Sequence, residues 1–222
     1  MNPAEKSNNK PLLCAAASCV SVIILKYLCN AVLLLTFLKD TKYSDMIFLM
    51  IVTTVTQVFP IAVIYKPAYK RLSPLIITDR KKRKNISFSL LVSAAGFLIC
   101  TVLNFIISVL LMPSENSGVY IPDDLTGIVV SVFAVCVFPA VLEELLVRGA
   151  MLNSLRIYGD LAAVMISAAA FGALHNSISS MLYAFLCGIV LGCVRIYTGR
   201  LSASAAVHFL NNMLALIFCF TK

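Results

Sequence analysis

Hydrophobic residues in this chain are gathered into seven long blocks separated by short polar stretches. An α-helix needs about 20 apolar residues to cross the hydrocarbon core of a bilayer, and most of the blocks are about that long. Backbone N–H and C=O groups inside lipid must be satisfied within the segment, so each block predicts a transmembrane helix. The predicted helices lie at 11–38, 46–65, 86–112, 126–147, 161–176, 180–198 and 201–220.

The composition supports this prediction. Of the 222 residues, 60% are hydrophobic and 13% are charged, whereas soluble domains are about half apolar and about a quarter charged. We therefore expect an all-α, polytopic membrane helix bundle with about seven transmembrane helices. It divides into a polar N-terminal tail (1–10), N-terminal transmembrane helices (11–124) with a basic cytoplasmic loop (66–85), and a C-terminal core (125–220).

Charge predicts the orientation of the bundle. If the N-terminus is cytoplasmic, fourteen of the eighteen Lys and Arg residues fall on the inside and three on the outside. Cytoplasmic loops carry such an excess, so we predict this orientation for a multi-pass protein of the cell membrane. The basic run 80–84 lies between two spans, which favours contact with the lipid bilayer and argues against nucleic acid as a partner.

Three ionisable residues interrupt the fourth block, in the stretch VLEELLVRG (141–149). Glu144 and Arg148 are four residues apart, so they share a helix face and can pair, while Glu143 points about 100° away. Pro139, one turn earlier, has no N–H and frees a backbone carbonyl. We expect both glutamates to face a water-filled cavity; the alternative is a structural ion pair with a glutamate at the cytoplasmic interface.

The chain has only two histidines, and each lies beside another residue of interest in an apolar segment. His175 follows Phe171 in FGALH, and His208 precedes Asn212 in HFLNN. A carboxylate and one histidine can activate water, while the second histidine and the amide can donate hydrogen bonds to an oxyanion, which suits amide hydrolysis. Alternatively, Glu143, His175 and His208 form a catalytic zinc shell; sequence spacing does not separate these chemistries.

Three motifs follow one another in the last four blocks: EExxxR, FxxxH and HxxxN. In this order they resemble the CPBP family (CAAX prenyl protease / Abi, bacteriocin-processing) of intramembrane endopeptidases, over residues 125–215. The resemblance implies a catalytic core at 125–220, with a cavity open to the cytoplasm and a peptide or protein substrate at the membrane. By the same analogy, the small size of the chain implies a bacterial relative in the cytoplasmic membrane. Family members include both glutamate-dependent and metal-dependent proteases. The site residues that the resemblance implies are Glu143 and His175 for water activation, His208 and Asn212 for the oxyanion, and Glu144 and Arg148 in support.

Other functions use the same residues. A non-catalytic peptide-binding or bacteriocin-immunity membrane protein could hold its partner in the same cavity, and a Glu143→Ala substitution separates that function from a protease. A proton-coupled carrier would use Glu143 and His175 as a relay. The odd number of spans and the lack of internal repeats argue against a carrier.

The position of His175 argues against this interpretation, and the charge of Lys26 is not explained by it. Counted from the predicted start of the fifth helix, His175 lies about 22 Å from the cytoplasmic side, too far from Glu143 unless that helix begins below the membrane or tilts. Lys26 is a cation inside the first predicted helix, and the sequence assigns it no partner.

Overall fold

The structure, a computed structural model, describes residues 9–35, 43–69, 85–111 and 124–220. Every regular element in this part of the chain is helical, which confirms the all-α prediction. Most of the predicted polar tail (1–10) and of the basic loop (66–85) lies outside the described residues. The helices are α1 (Lys10–Leu35), α2 (Ser44–Tyr69), α3 (Ile86–Leu111), α4 (Leu125–Tyr158), α5 (Asp160–Ala173), α6 (Ile178–Thr198) and α7 (Leu201–Phe220).

Six of the described helices, all except α5, contain a stretch long and apolar enough to cross a membrane, so the chain is a multi-pass membrane protein. Helix α5 has 14 residues. At 1.5 Å per residue it is about 21 Å long, short of the roughly 30 Å hydrocarbon core. Of the predicted segment 161–176, only residues 161–173 are helical, and a helix of this length reaches only part of the way across. The cytoplasmic location of the N-terminus stays a prediction.

Helix α4 differs most from its predicted bounds, because it continues to Tyr158 instead of ending at 147. The prediction took the charged residues near 144–148 as the membrane boundary. Arg148 is instead completely buried, so its charge does not mark the end of the helix. Two segments of α4, Val132–Val137 and Leu145–Met151, have π-helical hydrogen bonding. Such wide turns are rare and frequent at functional sites.

A tight turn at Gly159 joins α4 to α5, and its φ of 97° is a conformation that favours glycine. Glu143 precedes this turn and His175 follows it, and the two are equally far from Gly159 along the chain. At a rise of about 1.5 Å per residue, each is about 24 Å along its helix from the turn, so two adjacent helices can place them at a similar level. The separation expected from the sequence rested on ending α4 at 147, and the longer helix removes that reason for it.

Small residues hold α5 and α6 together. A Cβ atom added at Gly188 would lie 3.0 Å from the Cα of Ala168, and one at Gly192 would lie 3.1 Å from a methyl group of Val164. Contacts this close require glycine on one helix, as is common where membrane helices pack. Helix α6 also packs against α3 and α7, and α7 packs against α4. The polar residues of α4, α5 and α7 meet on the inner side of this arrangement.

Candidate active site

The ring of Phe171, near the C-terminal end of α5, lies at the centre of the site and is buried. The ring centroid of His175 is 5.1 Å away, and that of His208 is 5.8 Å away, both in edge-on geometry. The guanidinium carbon of Arg148 lies over the same ring, 4.4 Å from its centroid. One aromatic side chain therefore contacts both histidines and the arginine, which come from three different parts of the chain.

Glu144 and Arg148 form the predicted ion pair. Arg148 Nη1 donates to Glu144 Oε1 at 2.6 Å, and neither side chain is exposed. Arg148 Nη2 also donates to the carbonyl oxygen of Gly188 on α6, at 3.2 Å. The expectation that both glutamates face a wet cavity is therefore wrong for Glu144, whose charge is tolerated because an arginine accompanies it. Glu143 keeps 19% of its side chain exposed.

His208 on α7 lies between the two glutamates. Its Nδ1 is 3.2 Å from Glu144 Oε1, and its Nε2 is 3.9 Å from Glu143 Oε2. An ionised carboxylate only accepts hydrogen bonds, so the Glu144 contact assigns the proton to Nδ1 and orients the ring. The Nε2 edge of His208 is thereby directed toward Glu143.

His175 lies in the turn between α5 and α6. Its Nδ1 is 3.0 Å from the carbonyl oxygen of Phe171, one turn earlier. A carbonyl only accepts, so Nδ1 carries the proton and Nε2 of the neutral ring keeps its lone pair. The Glu143 carboxylate lies within electrostatic range of the His175 ring. Glu143 is therefore 3.9 Å from one histidine and within electrostatic range of the other, although the histidines lie far apart in the sequence.

Asn212, one turn after His208, connects α7 to α4. Its Nδ2 donates to the carbonyl oxygen of Val135 at 3.1 Å. Val135 lies one turn before Pro139, whose ring nitrogen has no hydrogen to donate. The Asn212 amide therefore supplies a donor in a part of α4 where the backbone lacks one. The second amide hydrogen of Asn212 stays available for another acceptor.

A small cavity of about 50 Å³ adjoins these residues, with room for a few water molecules. Both histidines, Phe171 and Asn212 line it. It also has polar lining residues that the sequence reasoning missed. Tyr183 on α6 donates its hydroxyl hydrogen to Asn211 Oδ1 at 2.7 Å, and both side chains line the cavity. Asn211 could have been noticed as the neighbour of Asn212, but nothing in the sequence relates Tyr183 to it.

A zinc ion would need ligands from this set. The Nε2 atoms of two histidines and a carboxylate are suitable donors by type. Among the described residues, however, no group of three or more His, Cys, Asp or Glu side chains is arranged to hold a metal ion. The zinc shell of Glu143, His175 and His208 therefore stays a prediction.

Comparison with known protein families identifies the region that carries the site. Residues 125–214 match the family model described as "Type II CAAX prenyl endopeptidase Rce1-like". The match runs from the start of α4 into the second half of α7 and includes every residue of the EExxxR, FxxxH and HxxxN motifs. It confirms the resemblance to the CPBP family. No curated protein and no solved structure matches the chain significantly.

Proposed function

Because residues 125–214 match the Rce1-like family of type II CAAX prenyl endopeptidases, we propose that this chain is an intramembrane endopeptidase. It hydrolyses a peptide bond in a membrane-associated peptide or protein. The observation that carries the proposal is that His175 and His208 line one small cavity, while Glu143 Oε2 lies 3.9 Å from His208 Nε2. In a membrane helix bundle, ionisable groups gathered in this way are costly unless they serve a function.

Glu143 and His175 activate the attacking water. The Nε2 atom of His175 has a free lone pair, and the Glu143 carboxylate is partly exposed, so each can accept the proton of a water held between them. The hydroxide oxygen then forms a bond to the peptide carbonyl carbon. The accepted proton passes to the departing amine as the C–N bond breaks. Such general acid–base catalysis contributes about 10²- to 10⁴-fold.

His208 and Asn212 stabilise the oxyanion that forms on the carbonyl oxygen. Asn212 donates through the amide hydrogen that Val135 does not use, and His208 donates through Nε2 when the ring is an imidazolium. Glu144 and Arg148 support these donors, because Glu144 orients the His208 ring and Arg148 neutralises Glu144. Preorganised donors of this kind act strongly in a site from which bulk water is excluded.

A groove between α3 and α7 supports a substrate that carries an apolar group. Its volume is about 460 Å³, and its lining is mostly apolar, including Phe97, Ala206 and Leu210. Val207 lines both this groove and the small cavity, so an apolar chain in the groove lies next to the reacting centre. A prenyl group, named in the family description, has the chemistry to fill such a groove.

Cleavage of quenched fluorescent peptides by the purified protein tests the proposal. Prenylated, leader-type and plain peptides should be compared, with Glu143→Ala as the inactive variant. Asp160→Ala is the matched control, because Asp160 is an exposed carboxylate paired with Arg156 at the far end of the same helical hairpin. Cleavage that survives Glu143→Ala contradicts the mechanism. A wild-type protein that binds peptide without cleaving it supports the non-catalytic alternative.

A further inference from the structure

Lys26 lies well inside α1, in the second half of that helix. A cation inside a membrane span is costly unless it has a partner. The structure supplies one: Lys26 Nζ donates a hydrogen bond to the carbonyl oxygen of Leu174. Leu174 is the capping residue that follows α5, and it directly precedes His175. The first helix of the chain therefore reaches the turn that carries one of the two histidines.

The Lys26 contact satisfies a helix terminus. The last carbonyl groups of an α-helix have no partner within the helix and carry partial negative charge, so a cation is favourable there. The contact is held in register by apolar packing, because Cys14 and Val22 of α1 belong to the same buried cluster as Leu146 of α4 and Leu174. Lys26 is thus carried by a helix that packs into the buried core of the bundle.

The ammonium group also lies within electrostatic range of the reacting residues. The Glu143 carboxylate and the His175 ring both lie within electrostatic range of Lys26. The ionisable groups within electrostatic range of His175 therefore include the Glu143 carboxylate, the His208 ring and the Lys26 ammonium. Of these groups, Lys26 alone comes from outside the matched residues 125–214.

We propose that Lys26 is a positioning residue of the active site, through which α1 holds the turn after α5 and so sets His175 against Glu143. This inference rests on the proposed peptidase activity. The lysine binds the Leu174 carbonyl, one residue from the histidine, so its loss frees the backbone that places the imidazole. A displacement of about 1 Å at a reacting group can cost roughly 10²-fold in rate.

The test compares steady-state cleavage by Lys26→Met, Lys26→Arg and Lys10→Met with that of the wild type. Lys26→Met removes the hydrogen bond and the charge but keeps the apolar stem, and should lower kcat by about 10- to 100-fold with KM nearly unchanged. Lys26→Arg can still donate to the Leu174 carbonyl and should recover most of the lost kcat.

Lys10→Met is the matched control. Lys10 lies on the same helix and also donates to a backbone carbonyl, that of Ala68, but at the other end of α1 and against the ring of Tyr69. It should leave kcat and KM at wild-type values. Equal kcat losses in Lys10→Met and Lys26→Met would show a general weakening of the bundle and overturn the inference. So would an effect of Lys26→Met on KM alone, or no recovery in Lys26→Arg.

Thermal unfolding in detergent shows which variants remain folded. If Lys26→Met does not fold, Lys26→Gln replaces it. The glutamine side chain is shorter and neutral, so this variant should lower kcat at least about tenfold. A Lys26→Gln variant with the kcat of the wild type would overturn the inference. The two proposals fail differently. Full activity in Lys26→Met, with none in Glu143→Ala, refutes the role of Lys26 and leaves the peptidase intact. A wild-type protein that cleaves no peptide contradicts both.

Discussion

The buried ion pair between Glu144 and Arg148 makes the sharpest prediction about stability. In an Arg148→Met variant, the Glu144 carboxylate keeps its position but loses the guanidinium at 2.6 Å. Neither side chain is exposed in the wild type, so the carboxylate cannot be rehydrated without disturbing α4. Breaking a buried pair by removing one partner costs about 3–5 kcal/mol in the free energy of unfolding, because it leaves an uncompensated charge.

A second, exposed ion pair provides the control. Arg156 near the end of α4 and Asp160 at the start of α5 lie on either side of the Gly159 turn, with 2.7 Å between their nearest atoms, and their side chains are 21% and 50% exposed. Exposed pairs contribute about 0.2–1 kcal/mol, so Arg156→Met should change the free energy of unfolding by no more than that. The two arginine variants therefore compare a buried ion pair with an exposed one.

The single variant Glu144→Gln and the double variant Glu144→Gln/Arg148→Met complete the cycle. Replacing both members of a buried pair by neutral groups is often nearly neutral, so the double variant should be markedly more stable than Arg148→Met alone. Equilibrium unfolding by SDS in mixed micelles measures all four proteins, with helicity as one signal and the reactivity of the buried thiols of Cys100 and Cys187 as another. A cost below about 1 kcal/mol for Arg148→Met, or a double variant as unstable as the sum of the singles, would refute the reasoning.

Further predictions concern catalysis, packing and metal. Asn212→Ala removes one oxyanion donor and should lower kcat by about 10²- to 10³-fold, whereas an effect on KM alone would contradict that role. Gly188→Val places methyl groups against Ala168, where even a Cβ would be 3.0 Å from the backbone; it should cost about 1–3 kcal/mol of unfolding free energy. Ala206→Trp should fill the groove and raise KM for prenylated peptides but not for plain ones, while Ile217→Trp, an exposed position outside it, should not. Incubation with a zinc chelator should leave cleavage unchanged if water is activated without metal, and cleavage lost at unchanged thermal stability would favour the zinc shell.

The class of fold and the approximate helix positions could be read from the chain because both follow from local physics. A long apolar block needs lipid around it, and its backbone must pair internally. The prediction failed at the end of α4, where a charge was taken to mark the membrane boundary. Whether Arg148 is at a surface or in a core depends on Glu144, Gly188 and Phe171, two of which come from other helices.

The candidate site also has features that could be predicted from the sequence and features that depend on how the helices pack. The pairing of Glu144 with Arg148 and the missing backbone donor at Pro139 were accessible from the sequence, because each depends only on one helix. The approach of His175 to Glu143 was not, because it depends on the turn at Gly159, where two helices reverse and bring distant residues level. Local sequence thus specifies which groups one helix presents, whereas packing between helices specifies which of them meet. The buried cluster around Leu174 and Leu146, which holds α1 against α4 and α5, is the reason that a lysine from the first helix reaches this site.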